Sequence, residues 1–252
     1  FLATDNLRLK LAAGRYSQNL VSTNSDQDVV NLFYGFLSAP DNLPDEFKGE
    51  EVVNGLQLAN HLILGLEYDI SSKIDFNIEG YIKDFTQLTN INKEKLTLTD
   101  PDFIIEEGLA KGVDVVLKYN DPKFYFWLVY SLGYITRNGE YIEYNPHFDR
   151  RHNINLVSTY KFGAEKNWSF DARWNIGSGF PFTQTQGFYP SLDFSDGINT
   201  NYISESGELG IIYAGLNQGR LPWYHRLDIA LKKQQKLSKY STFEWNVGVT
   251  NV

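Results

Sequence analysis

EGLAKGVDVVLKYNDPKFYFWLVYSLGYITR, residues Glu107 to Arg137, alternates in character along two arms. In the first arm Leu109, Val113, Val115, Leu117 and Tyr119 occupy odd positions, with Gly108, Ala110, Gly112, Asp114 and Lys118 between them. Asn120, Asp121 and Pro122 make a tight turn. The return arm then places Phe124, Phe126, Leu128, Tyr130, Leu132 and Tyr134 on even positions, against Lys123, Tyr125, Trp127, Ser131, Gly133 and Arg137. Successive side chains of a strand point to opposite faces, so each arm has one oily face and one small or polar face.

The length of the arms decides what that hairpin belongs to. Each alternates for about 13 residues, whereas a strand in a soluble sandwich usually runs about 5 to 6. Tilted by about 40° and rising about 3.3 Å per residue, such an arm spans the roughly 25 Å apolar band of an outer-membrane barrel. The expected fold is therefore all-β: a transmembrane, up-and-down antiparallel β-barrel with the oily face against lipid and the polar face lining a lumen. A soluble β-sandwich binding module is the competing architecture.

The same alternation recurs from Leu7 to Gln18, Leu58 to Ile70 and Ile74 to Lys83. It recurs again from Asn153 to Phe162, Trp168 to Gly177, His225 to Lys232 and Thr242 to Thr250. In the stretch Trp168 to Gly177, Trp168, Phe170, Ala172, Trp174 and Ile176 oppose Ser169, Asp171, Arg173, Asn175 and Gly177. Unpartnered burial of Asp171 and Arg173 in a dry core would cost several kcal/mol, so a hydrated interior suits them better. About nine strands result, with connections alternating between short and long, the rhythm of periplasmic turns and extracellular loops. Tyr68, Tyr119, Phe124, Phe162, Trp168 and Tyr240 flank the short turns, where an aromatic girdle belongs. Nine is odd and the last strand is open, so closure requires strands beyond this sequence: residues 1–252 are expected to form one partial barrel domain. An unpaired edge in lipid is prohibitively costly.

Composition narrows the function classes. The 252 residues are 42% hydrophobic and 15% aromatic, without a run of 18 apolar residues, so no transmembrane helix is expected. A net charge of -8 with no basic stripe argues against nucleic acid. The chain has no Met and no signal peptide before Phe1, which suggests a processed product or a fragment. With no Cys there is no disulfide framework, thiolate metal site or Cys nucleophile. His61, His147, His152 and His225 form no HExxH pair, and neither a GxSxG elbow nor a phosphate loop exists, so no enzyme and no cofactor are expected. Asp193, Asp196 and Glu205 miss calcium-loop spacing, so no metal site is expected either. Asn167 to Ser169 matches a glycosylation acceptor at a predicted periplasmic turn, where it is discounted.

Several stretches, in order, resemble the C-terminal barrel half of TonB-dependent outer-membrane receptors of the Bacteroidota type, SusC-like or siderophore-receptor-like. They are LKLAAGRYSQ (Leu9 to Gln18), ANHLILGLEYDIS (Ala59 to Ser71), IEGYIKDFTQL (Ile78 to Leu88), GLAKGVDVVLKY (Gly108 to Tyr119), HFDRRHNINLVSTYKFG (His147 to Gly163), GSGFPFTQTQG (Gly177 to Gly187) and RLPWYHRLDIAL (Arg220 to Leu231). The resemblance implies a 22-stranded barrel in the cell outer membrane and an N-terminal plug coupled to TonB. It implies active import of a scarce, bulky ligand such as a ferric siderophore, corrinoid, oligosaccharide or peptide. The partners expected are the lipid bilayer, the TonB complex through the plug, the extracellular ligand and a surface lipoprotein as a candidate lid. The plug, TonB box, earlier strands and terminal strand are not in this sequence. A passive porin or barrel-anchored adhesin is the alternative function.

Candidate ligand residues lie where long connections meet strands. Arg150 and Arg151 in the run Asp149 to His152, together with Arg220, Arg226, Asp228 and Arg173, either bind an anionic ligand or form an ion-pair network. Phe188, Tyr189 and Tyr202 in the connection Gly179 to Leu221 either stack on a ligand or pack that loop on itself.

Overall fold

The computed structural model describes residues 2–22, 36–38, 41–92, 95–191 and 208–252. Among them the chain forms strands only. In order these are β1 (Leu2–Thr4), β2 (Leu7–Gln18), β3 (Leu20–Ser22), β4 (Phe36–Ser38), β5 (Glu46–Phe47), β6 (Glu50–Glu51), β7 (Gln57–Ser71), β8 (Ile74–Ile91), β9 (Phe103–Asn120) and β10 (Phe124–Asn138). There follow β11 (Glu143–Tyr144), β12 (His152–Phe162), β13 (Trp168–Gly177), β14 (Pro181–Phe182), β15 (Thr185–Ser191), β16 (Glu208–Tyr213), β17 (Gly219–Arg220), β18 (Tyr224–Lys236) and β19 (Thr242–Val249).

The long strands lie side by side in sequence order, β1-β2-β7-β8-β9-β10-β12-β13-β18-β19, and every pairing is antiparallel. The up-and-down order expected from the alternation is therefore present. The two outer strands, β1 and β19, do not pair with each other, so within these residues the sheet stays open.

Register locks the alternation into continuous rows. Leu7, Tyr68, Phe76, Leu117, Leu128, Leu156, Trp174 and Leu227 stand opposite one another across eight strands. One residue along, the row on the other face is Arg8, Glu67, Asn77, Val116, Val129, Asn155, Asn175 and Arg226. A slip by one residue would exchange the two sets, so the pairing is strongly specified wherever one face must avoid water.

Among the described residues, the apolar row packs against no second layer. Leu64 is 57% exposed, Val247 63% and Trp174 38%. Charged residues on the opposite face pair with one another: Arg8 with Asp69 at 2.7 Å, Lys10 with Glu67, and Lys232 with Asp171 at 3.0 Å. Such half-exposed pairs are each worth about 0 to 1 kcal/mol, and their role is to keep charges compatible along a shared wall.

The sheet's two ends differ. At one, β7–β8, β9–β10, β12–β13 and β18–β19 are joined by residues 72–73, 121–123, 163–167 and 237–241. Gly163 adopts φ +90°, and a Cβ there would lie 2.8 Å from Asn167 Oδ1, so this turn requires glycine. Rings gather at this end, with Tyr119 and Phe124 centred 5.9 Å apart, Phe162 and Trp168 6.0 Å, and Trp168 and Trp245 5.2 Å. At the other end the connections are long, and the buried side chains Leu88, Phe103, Ile105 and Tyr144 are found there. The protein's packed core is thus at the loop end rather than between the strands.

Candidate functional site

At the loop end, Asp149 is the point on which two long connections converge. The β10–β12 ladder runs to Leu132 opposite His152, and the Gly133 amide still donates to the Arg151 carbonyl at 2.9 Å. Beyond that the partner strand has turned away. Ile135 finds side chains instead: its N–H donates to Asp149 Oδ1 at 3.1 Å and its carbonyl accepts from Asn145 Nδ2 at 2.7 Å. A buried backbone group without such a partner costs about as much as a lost hydrogen bond.

Asp149 has no exposed surface, yet two guanidinium groups meet its carboxylate. Arg151 donates from Nε to Oδ2 at 3.0 Å, and Arg220 donates from Nη2 to the same oxygen. Arg220 Nη1 also donates to the Asp149 carbonyl at 2.7 Å. A buried carboxylate is tolerable only when its acceptor sites are filled in this manner. Arg220 arrives on β17, which pairs with β14. Asn217 fixes the same return by donating from Nδ2 to the Asn145 carbonyl at 2.9 Å and from its amide to Thr183 Oγ1 at 3.0 Å. At the base, His152 N–H donates to Ser178 Oγ at 2.9 Å. Gly179 allows the two chain segments to touch, because a Cβ on it would lie 1.6 Å from the Leu221 carbonyl oxygen.

The consecutive arginines diverge. Arg151 lies over the Tyr134 ring at 4.4 Å, on the side of the sheet that carries Leu132 and His152. Arg150 reaches the polar side, where its guanidinium fills the space left by Gly177 and stacks on Phe180 at 4.2 Å. Lower on that polar wall, Arg173 faces Asp228 in register, and Arg226 donates from Nε to Asp228 Oδ1 at 2.9 Å. Asp228 Oδ1 also accepts the Asn251 amide at 2.9 Å.

Of the expected ligand residues, then, Arg151 and Arg220 meet at one carboxylate with Arg150 adjacent, while Arg173, Arg226 and Asp228 form a separate group on the polar face. Phe188 and Tyr189 stand on β15, which pairs with β16, and are 63% and 48% exposed. Tyr202, Asp193, Asp196 and Glu205 lie outside the described residues. Arg151 and Arg220 are ion-paired with Asp149, and Arg226 with Asp228.

Other groups here carried little sequence signal. Glu106, with no exposed surface, accepts from Tyr144 Oη at 3.1 Å and from Asn90 Nδ2 at 3.3 Å, with Arg137 at 3.5 Å. On the polar face Tyr16 packs on His61 with centroids 4.4 Å apart, and Phe85 meets His61 edge-on at 6.2 Å. Tyr81 covers Gly112, where a Cβ would come within 2.5 Å of its hydroxyl. A glycine opposite a large ring on the neighbouring strand is the pattern that could have revealed this last contact.

No family model and no curated protein matches the sequence. Among solved structures, the crystal structure of the P. putida toluene transporter TodX matches at 10% identity with a TM-score of 0.34. The match covers 98% of this chain and 64% of that one, so the chain spans less than two thirds of the length of that transporter.

Proposed function

We propose that this chain is part of a transmembrane β-barrel of the outer membrane, and that the whole protein imports a bulky ligand across that membrane by TonB-dependent, non-catalytic transport. The observation that carries the membrane part is the apolar row from Leu7 to Leu227, aligned over eight strands and uncovered among the described residues, with a more polar row on the reverse that carries ion pairs at Arg8 and Arg226. Water against such a row is unfavourable at about 25 cal/mol per Å² of apolar surface, and hydrocarbon removes that cost. The ion-paired reverse face suits a wet lumen. The open edges suit a sheet completed by further strands, the account in which about nine of 22 strands lie here.

Import through TonB is supported by the ordered series of receptor-like stretches from Leu9 to Leu231. The ligand is of the class expected from them: a ferric siderophore, corrinoid, oligosaccharide or peptide. On this reading the connections at the loop end face the exterior and contribute to capture, with Arg150 at the mouth and Arg173, Arg226 and Asp228 along the wall. A plug and the TonB complex complete the machine, and a surface lipoprotein is a candidate lid.

Two measurements on the full-length protein in its native cells test this. It should remain in the outer-membrane fraction after urea washing and change electrophoretic mobility on heating; release in soluble form would overturn the membrane reading. Ligand uptake should stop when the inner-membrane proton gradient is collapsed. Continued uptake would favour a passive porin, and no uptake of any ligand class a barrel-anchored adhesin.

A further inference from the structure

The separation of Arg150 from Arg151 and Arg220 has a consequence for what the latter pair can bind. Arg151 and Arg220 border a cleft of about 520 Å³ that Tyr134, His152, Leu221 and Trp223 also line. His152 stands opposite Leu132, and Leu132 continues the apolar row of Leu11, Leu64, Gly80 and Val113. The cleft therefore opens at the loop-end margin of the apolar face, away from the polar wall.

We propose that this cleft binds the phosphate of an anionic lipid headgroup, the acyl chains lying along the apolar face below; the inference rests on the membrane reading above. The chemistry of the lining supports it in three ways. A guanidinium carries five N–H donors in a planar fork that suits phosphate oxygens. Arg151 uses one donor on Asp149 and one, at 3.5 Å, on Asn145, while Arg220 uses two on Asp149. Among the described residues this leaves three donors on each without a protein acceptor. Both forks are also held in place beforehand by the one buried carboxylate, so a headgroup need not order them.

The ring content sets the height. Trp223 is 57% exposed and stacks on His152 at 5.6 Å, and the Tyr130 hydroxyl meets His152 Nδ1 at 2.9 Å. Tyr and Trp gather where hydrocarbon gives way to headgroups. Charge sets the sign: Asp149 offsets one of the two arginines, and Glu143 at the rim is the opposing group that an incoming phosphate meets.

The probe is the full-length protein in phosphatidylcholine nanodiscs doped with spin-labelled phosphatidic acid, read as the fraction of label immobilised at the protein surface. The wild type should enrich phosphatidic acid over a labelled phosphatidylcholine control. A variant carrying Arg151→Gln and Arg220→Gln should lose about tenfold in relative affinity, the equivalent of roughly one charge-assisted hydrogen bond. Glu143→Gln should strengthen enrichment, a gain that a misfolded loop would not give, and Arg150→Gln should leave it unchanged.

Equal boundary fractions for the two lipids in the wild type overturn the inference while leaving the membrane reading intact. Failure to insert at all overturns the membrane reading instead. Inorganic phosphate that binds the cleft without any lipid enrichment assigns the site to a free anion and overturns the lipid source.

Discussion

Asp149 replaces a missing strand partner for Ile135 and at the same time neutralises part of the charge of Arg151 and Arg220. Its removal should therefore cost more than a surface ion pair. Asp149→Ala leaves two partly buried guanidinium groups and one backbone N–H unsatisfied, a loss of about 3 to 5 kcal/mol in local stability. Limited proteolysis should then cut at residues 139–151, 178–184 and 214–223 much faster, with β12 and β13 still protected. Glycines nearby rank in a definite order. Gly179→Ala pushes a methyl into the Leu221 backbone, whereas Gly177→Ala meets the movable end of Arg150 at 2.8 Å. Folding yield should fall sharply for the first and modestly for the second.

Turns and strands make separate predictions. At the β9–β10 turn, Lys73 bonds the Asp121 carboxylate and the Lys123 amide donates to it at 3.1 Å, and both hold Asp121 below its ordinary range. The same contact raises Lys73. A lowered carboxyl contributes stability above the unfolded value of about 3.9 and loses it as pH falls through the folded value. A raised lysine contributes below about 10.4 and loses it as pH rises through its own folded value. The protection factor of the Lys123 amide, its exchange rate taken relative to an unstructured peptide at the same pH, should accordingly hold across that interval and fall on acidification below it. Along the strands, parity governs tolerance. Leu128→Arg on the apolar row should lower the urea midpoint of the inserted protein by the equivalent of about 2 to 4 kcal/mol, whereas Val129→Arg on the other face should change it little.

Much at this scale was legible from sequence because alternation and turn chemistry are local. The stretch Glu107 to Arg137 forms the expected antiparallel hairpin, and the short turns fall close to the expected places. The parts that escaped depend on tertiary contact. β8 and β9 run on to 18 residues, past a register shift between Phe85 and Leu88 that breaks the alternation and leaves Glu106 buried. Two-residue pairings such as β14 with β17 carry no periodicity at all. In the run Asp149 to His152 the charges were visible, but not that Arg150 and Arg151 would leave on opposite sides, because that split follows from where β12 begins.

For the molecule as a whole, everything turns on which medium touches each side of the sheet. Val129 and Val157 make the test sharp, since they are apolar residues on the polar side, immediately after Leu128 and Leu156 on the apolar one. The chain has no cysteine, so Leu128→Cys, Val129→Cys, Leu156→Cys and Val157→Cys each introduce a single nitroxide site into this part of the full-length protein. Collisional relaxation by oxygen, which concentrates in hydrocarbon, is compared with relaxation by a water-soluble nickel chelate. The barrel account predicts oxygen-dominated relaxation at positions 128 and 156 and nickel-dominated relaxation at 129 and 157. Nickel access at 128 and 156 equal to that at 129 and 157 would contradict it.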